Sequence, residues 1–301
     1  MRWTPGGRSD DIEDRRDDSG GGGGGGGFNI GGGHIGIGGF LILLVLSFIF
    51  KRDFLSLAGV GGGAGNRTQV GQTYPPQNPV RNQARDQSEE PLVQFISFVL
   101  DDTQKTWQQI LSQQGVPYRH AKLVLFRDSI DSACGMAQSA SGPFYCPGDE
   151  KVYIDLAFYD ELKRRFGVPG EFAQAYVLAH EIGHHIQKLT GIEQKVRIAQ
   201  QRNPAARNQL SVALELQADC FAGVWGHSTD QRKLLDPGEV KEGLAAAAAV
   251  GDDRLQRMST GRVNPESFTH GSSQQRMDWF QKGFTTGDMR ECNTFAQRGS
   301  E

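Results

Sequence analysis

Residues 178–187, LAHEIGHHIQ, carry the pattern His180-Glu181-Ile182-Gly183-His184 inside a stretch of helical periodicity. An α-helix turns about 100° per residue, so side chains four apart lie one above the other. His180 and His184 can therefore grip one metal ion from a single helix face. Glu181 then stands where a carboxylate can take a proton from water held at that ion, an arrangement suited to metal-assisted peptide hydrolysis. Around the pattern, Phe172, Ala175, Ala179, Ile182, Ile186 and Leu189 recur at three- and four-residue spacing and predict one buried stripe on a helix from about Gly170 to Thr190. Pro169-Gly170 and Gly191 supply its start and stop signals. Without a metal, the same histidines would pair with carboxylates on a polar helix face.

A catalytic zinc takes three protein ligands and leaves one position for water, so a carboxylate must complete the histidine pair. Glu215-Leu216-Gln217-Ala218-Asp219, within a predicted helix from Ala205 to Trp225, offers Glu215 as that ligand. Asp219, one turn further on the same face, suits the carboxylate that orients a ligating imidazole through its other ring nitrogen. Standing alone, such an ExxxD pair would read as a solvated acidic face beside Arg207. Two imidazoles and a carboxylate favour Zn2+ among divalent metals.

HEIGH followed by ELQADCFAG resembles the gluzincin arrangement of HExxH and ExxxD helices. The longer strings CGMAQSASGPFYCPGDEKVYIDLAFYDEL (Cys134 to Leu162) and FTHGSSQQRMDWFQKGF (Phe268 to Phe284), with the opening MRW, the charged DIEDRRDDSG and the Gly-rich run before an apolar segment, resemble the YpfJ-like family of bacterial neutral zinc metallopeptidases. The resemblance covers nearly the whole chain. It implies a membrane-anchored zinc peptidase of zincin-like fold, with His180, His184 and Glu215 at the ligand positions and Glu181 at the catalytic one. Thr269-His270-Gly271 followed by Arg276 is similar to an element that follows the zinc site in related membrane gluzincins. That makes His270 a candidate donor to the oxyanion formed on carbonyl attack, a helix cap being the plainer reading. His185 lies about 100° around the helix from His184 and points off the metal axis, toward a neighbour or solvent.

Extended substrates bind along exposed strand edges because main-chain hydrogen bonding ignores side-chain identity. Lys151 to Tyr159, with Val152, Ile154, Leu156 and Phe158 alternating, is the best strand, and Gly142-Pro143-Phe144-Tyr145 could form an adjoining rim; a core strand is the alternative for both.

The first ninety residues differ in composition from the rest. Residues 1–29 read as a disordered charged and Gly-rich terminus, 30–50 as one transmembrane helix, 51–90 as a flexible linker and 91–301 as the metallopeptidase domain. The uncharged stretch from about Ile30 to Phe50 is long enough for the roughly 20 residues that a spanning helix needs. Arg15-Arg16 and Lys51-Arg52 give opposing orientation signals. Four cysteines without CxxC spacing permit two disulfides, Cys134 with Cys146 and Cys220 with Cys292, buried free thiols being the alternative. Disulfides would place the domain outside the cytoplasm, on the periplasmic side of a bacterial inner membrane. With 35 acidic and 32 basic side chains, a net charge of -3 and no phosphate-binding loop, nothing points to nucleic acid. The sequence does not fix the oligomeric state.

Helices near Pro91 to Gln114, Pro237 to Val250 and Ser267 to Phe280, with strands near Ala121 to Phe126 and Lys151 to Phe158, complete an α+β reading: a mainly helical domain with a small sheet and the metal between them. A membrane-anchored zinc-containing binding or scaffold protein without peptidase activity is the competing expectation, against which Glu181 argues.

Overall fold

The computed structural model describes residues 1–18, 79–139, 142–168 and 170–295. Of the described residues, 1–18 and 93–295 fall in one compact unit. Within this unit, four strands form a sheet in the order β1-β2-β6-β5: β1 Ile12–Asp14, β2 Lys122–Phe126, β5 Phe144–Cys146 and β6 Lys151–Asp155. β1, β2 and β6 run parallel, and β5 is antiparallel to β6. A hairpin of β3 Ser129–Ser132 and β4 Gly135–Gln138 stands beside them. The Leu-Val-Leu-Phe run of β2 is buried throughout, as expected of a strand covered on both faces.

Helix α1, Pro79–Ser112, precedes β2, and its Phe95, Val99, Trp107 and Leu111 are buried at helical spacing. After the sheet come α2 Ala157–Phe166, α3 Glu171–Leu189, α4 Ile192–Arg202, α5 Arg207–Gln231, α6 Glu239–Ala249, α7 Asp252–Thr260 and α8 Ser273–Thr286. The HExxH residues lie on α3 and the ExxxD residues on α5. The predicted α+β class, largely helical with a small sheet, is borne out.

Two glycine contacts let these helices approach closely. A Cβ on Gly183 would meet the Ala218 backbone at 3.0 Å, so α3 rests directly on α5. A Cβ on Gly283 would fall 2.0 Å from the Cys220 carbonyl oxygen, and one on Gly223 2.1 Å from that of Phe280. α5 and α8 therefore cross backbone to backbone. At the start of α8, Ser272 and Gln275 form a reciprocal capping box that satisfies two otherwise orphaned N–H groups.

Several expectations change. The N-terminal residues 1–18 are folded, which corrects that part of the reading of 1–29 as disordered, 19–29 lying outside the described residues: β1 pairs with β2, and its acidic side chains find partners. Asp11 takes Lys122 at 2.8 Å and His120 at 2.6 Å, while Glu13 takes Lys151 at 2.8 Å. A charge-rich string looked too polar to order, but its charges are matched across the sheet. The predicted 51–90 linker is likewise corrected at its end, since Pro79–Glu90 is helical, with Arg85 and Glu89 paired at i, i+4. The rest of that linker and the predicted span at 30–50 lie outside the described residues. Among the described residues, no helix is long and apolar enough to cross a membrane.

The strand expected to run to Phe158 ends at Asp155, whose side chain accepts from the Ala157 N–H at 2.9 Å and turns the chain into α2. Of the two readings offered for this strand, edge or core, the core one holds: β2 and β5 occupy both edges of β6. The edge strands of this sheet are β1 and β5, and β5 overlaps the Gly142 to Tyr145 segment expected to form a rim. Both predicted disulfides are present, Cys134–Cys146 and Cys220–Cys292.

Candidate metal centre

α3 and α5 bring His180, His184 and Glu215 together, with one potential ligand atom of each lying within 4.8 Å of the others. His180 Nε2 is 3.2 Å from Glu215 Oε2, and His184 Nε2 is 3.5 Å from Glu215 Oε1. Both Nε2 atoms converge because the opposite ring nitrogens are held elsewhere. His180 Nδ1 lies 2.8 Å from Asp219 Oδ1, so the carboxylate keeps a proton on Nδ1 and Nε2 is the nitrogen that would lose its proton to bind a metal.

His184 is set by a residue that sequence reading passed over. Gln187 Nε2 donates to the Leu214 carbonyl at 2.7 Å and to Gln217 Oε1 at 3.2 Å. Those acceptors orient the amide, which leaves Gln187 Oε1 to accept from His184 Nδ1 at 2.9 Å. Gln217 Nε2 in turn donates to the Cys292 carbonyl at 2.9 Å, and Cys292 is bonded to Cys220. One hydrogen-bonded path thus runs from a ligand histidine to the C-terminal strap. Gln187 stands three residues after His184, a helical neighbour spacing that could have marked it.

Asp219 is fully buried and remains ionised because Arg276 from α8 meets it through both Nε at 2.8 Å and Nη2 at 2.9 Å. Burial opposes its charge, but Arg276 and His180 outweigh that cost and hold its pKa below the usual carboxylate range. Tyr176 also donates its hydroxyl to Asp219. Burial alone would neutralise His180; the Asp219 carboxylate, with help from Glu215, instead carries its pKa up to about 10 in the metal-free protein. Glu215 is desolvated too, and His184, His270 and His180 draw its pKa well below normal. Glu181 goes the other way, because its burial outweighs the two nearby histidines and raises its pKa. The Tyr159 hydroxyl, whose own pKa is raised by burial and by Glu181, has no hydrogen-bond partner among the described residues.

His270 is not part of the three-ligand cluster. Its loop packs against α5 beside Glu215: a Cβ on Gly271 would meet Leu216 at 3.2 Å and Val212 at 3.3 Å. Asp252, at the start of α7, builds this loop by accepting from the backbone N–H groups of Thr269, His270 and Gly271 at 2.7, 2.6 and 3.0 Å. Its other oxygen lies 3.3 Å from His270 Nδ1. Burial disfavours a charged His270, but Glu215 and then Asp252 raise its pKa above the ordinary imidazole value.

His185 is buried as a bridge, one of the two environments expected for it. The Arg119 carbonyl, 2.7 Å from Nε2, can only accept, so Nε2 carries the proton and Nδ1 receives the Tyr145 hydroxyl at 2.9 Å. The residue next to His184 therefore joins α3 to β5, an edge strand. His227 bonds the Phe284 carbonyl at 2.8 Å and stays outside the site, while His34 lies outside the described residues.

Paired nitrogen donors on one helix and a carboxylate on another form a group that could hold a metal ion, of the kind zinc peptidases use, and the donor set suits Zn2+. The chain belongs to the family described as "Putative neutral zinc metallopeptidase", which matches residues 1–295. It is similar to "Uncharacterized protein YpfJ" of Escherichia coli strain K12, at 48% identity over 306 residues, covering 99% of each chain. It is also similar to "Uncharacterized protein Rv2575" of Mycobacterium tuberculosis strain H37Rv, at 44% identity over 190 residues, covering 60% of this chain and 64% of the other. No solved structure matches the chain.

Proposed function

We propose that this protein is a membrane-attached, zinc-dependent endopeptidase. The observation that carries the reading is the convergence of His180 Nε2, His184 Nε2 and a Glu215 oxygen while Asp219 and Gln187 hold the outward ring nitrogens. When bound there, zinc supplies Lewis acidity that polarises a carbonyl and acidifies water.

The chain's own residues supply the remaining chemistry. Glu181, with its raised pKa, takes a proton from the attacking water and returns it to the departing amide nitrogen, so the carboxylate ends the cycle as it began. His270 donates a hydrogen bond to the developing oxyanion, from a loop that Asp252 braces. The edge strand β5, joined to α3 through Tyr145 and His185, receives an extended peptide backbone, which suits peptide or protein substrates of varied sequence.

The apolar sequence at 30–50 attaches the protein to a membrane. Two disulfides support an oxidising, extracytoplasmic location for the domain. The test is a fluorogenic peptide library applied to wild type and Glu181→Gln, with and without chelator. Chelator-sensitive cleavage confined to wild type supports the proposal; equal cleavage by both proteins refutes it.

A further inference from the structure

The two ends of the apolar segment are parts of one fold. Residues 1–18 precede the apolar sequence and residues 93–295 follow it, yet both belong to the same compact unit. β1 supplies the edge strand of the sheet, with Ile12, Glu13 and Asp14 in register with Leu123, Val124 and Leu125. The ladder is extended at both ends: Leu123 N–H donates to the Asp11 carbonyl at 2.8 Å, and Arg15 N–H to that of Leu125 at 2.8 Å.

Side chains fasten the same segment to several elements. Gln104 of α1 donates to Asp11 at 2.9 Å, Lys151 of β6 pairs with Glu13, and Arg127 donates to the Arg16 carbonyl at 3.1 Å. Trp3 packs against Phe95 with ring centroids 5.4 Å apart. Arg2 pairs with Asp236 at 2.7 Å, just before α6.

A single crossing between residues 18 and 93 would place these partners on opposite faces of a hydrocarbon layer about 30 Å thick. We infer that residues 1–18 and the domain carrying the metal centre lie on the same side of the membrane, so that the intervening chain meets the bilayer from one face. The uncharged run from Ser19 to Phe50 is shorter than the roughly 40 residues that two full helical crossings need. Basic pairs on both flanks, Arg15-Arg16 and Lys51-Arg52, then no longer oppose each other; together they weigh toward the cytoplasmic face, against the oxidising side that the two disulfides support. This inference rests on the proposed membrane attachment and replaces its single-span form.

The test uses full-length protein with a specific protease site inserted either among Gly20 to Gly27 or among residues 66–73. Each variant is exposed to protease in spheroplasts and in inverted inner-membrane vesicles, and retention of the native melting temperature shows that the fold tolerates the insertion. The expected result is cleavage of both variants in spheroplasts and of neither in inverted vesicles. Cleavage of both only in inverted vesicles also upholds the shared side and moves the domain to the cytoplasm. Cleavage of the two variants in opposite preparations overturns the inference while leaving attachment intact. Recovery of the protein entirely in the soluble fraction overturns attachment, and the inference with it.

Discussion

At the scale of single residues, the spacing rules that govern one helix face made His180, His184, Glu215 and Asp219 legible, because i, i+4 geometry is local. Their partners were less visible: Gln187 shares a helix face with His184 but belongs to no motif, while Asp252 and the Tyr145 that meets His185 act across loops and elements, where no short pattern announces them. Glu181→Gln keeps the shape of the site but removes the base, so peptide turnover should fall by about 10²–10⁴-fold with zinc content unchanged; metal analysis alongside kinetics checks both halves. Asp219→Asn weakens the group that orients His180 and leaves Arg276 buried beside a neutral amide. Zinc affinity should drop by about 10–100-fold, read by chelator competition. The proton on His180 gives a third prediction. Its pKa is raised on folding, so its ion pair stabilises the metal-free protein fully below the ordinary imidazole value and that contribution is lost as pH rises through about 10. Zinc requires the neutral ring, so binding at neutral pH should release about one proton from His180. Calorimetry in buffers of different ionisation enthalpy measures the release; none would mean that His180 is neutral beforehand.

At the scale of elements, apolar periodicity located α3, α5 and β2 to within a few residues, because each buries a regular stripe or a continuous run. It misplaced the end of β6, since alternating Leu156 and Phe158 continue a strand pattern while the Asp155 side chain accepts from the Ala157 N–H and turns the chain into α2. It also passed over the charge-paired β1 and the polar α4 and α7, whose sequences lack long apolar stripes. The glycine crossing of α5 and α8 was equally hidden, yet it brings Arg276 to Asp219. Alanine favours a helix over glycine by about 1 kcal/mol, which would make Gly283→Ala mildly stabilising on an open face. Here the new methyl would collide with a backbone oxygen, and overpacking of that kind costs about 1–3 kcal/mol. The substitution should therefore destabilise the fold and loosen zinc together, measured by denaturant midpoint and metal retention; a protein more stable than wild type would contradict the close crossing.

At the scale of the whole molecule, the domain is tied together from both chain ends. β1 closes one side of the sheet, and the Cys220–Cys292 disulfide links α5 to the C-terminal strap 72 residues later, within the hydrogen-bonded path to His184. Losing that link should cost about 2–5 kcal/mol by freeing a long loop in the unfolded chain. Cys220→Ser/Cys292→Ser should accordingly melt earlier and hold zinc less well than wild type, and unchanged values would separate the strap from the site.

The most direct test of the central claim is zinc stoichiometry measured together with peptide hydrolysis on the purified full-length protein and its His180→Ala, Glu215→Ala and Glu181→Gln variants. The account predicts about one zinc per chain in wild type and Glu181→Gln, loss of tight zinc in the two ligand variants, and hydrolysis in wild type alone. Full zinc retention by Glu215→Ala, with hydrolysis undiminished, would contradict it.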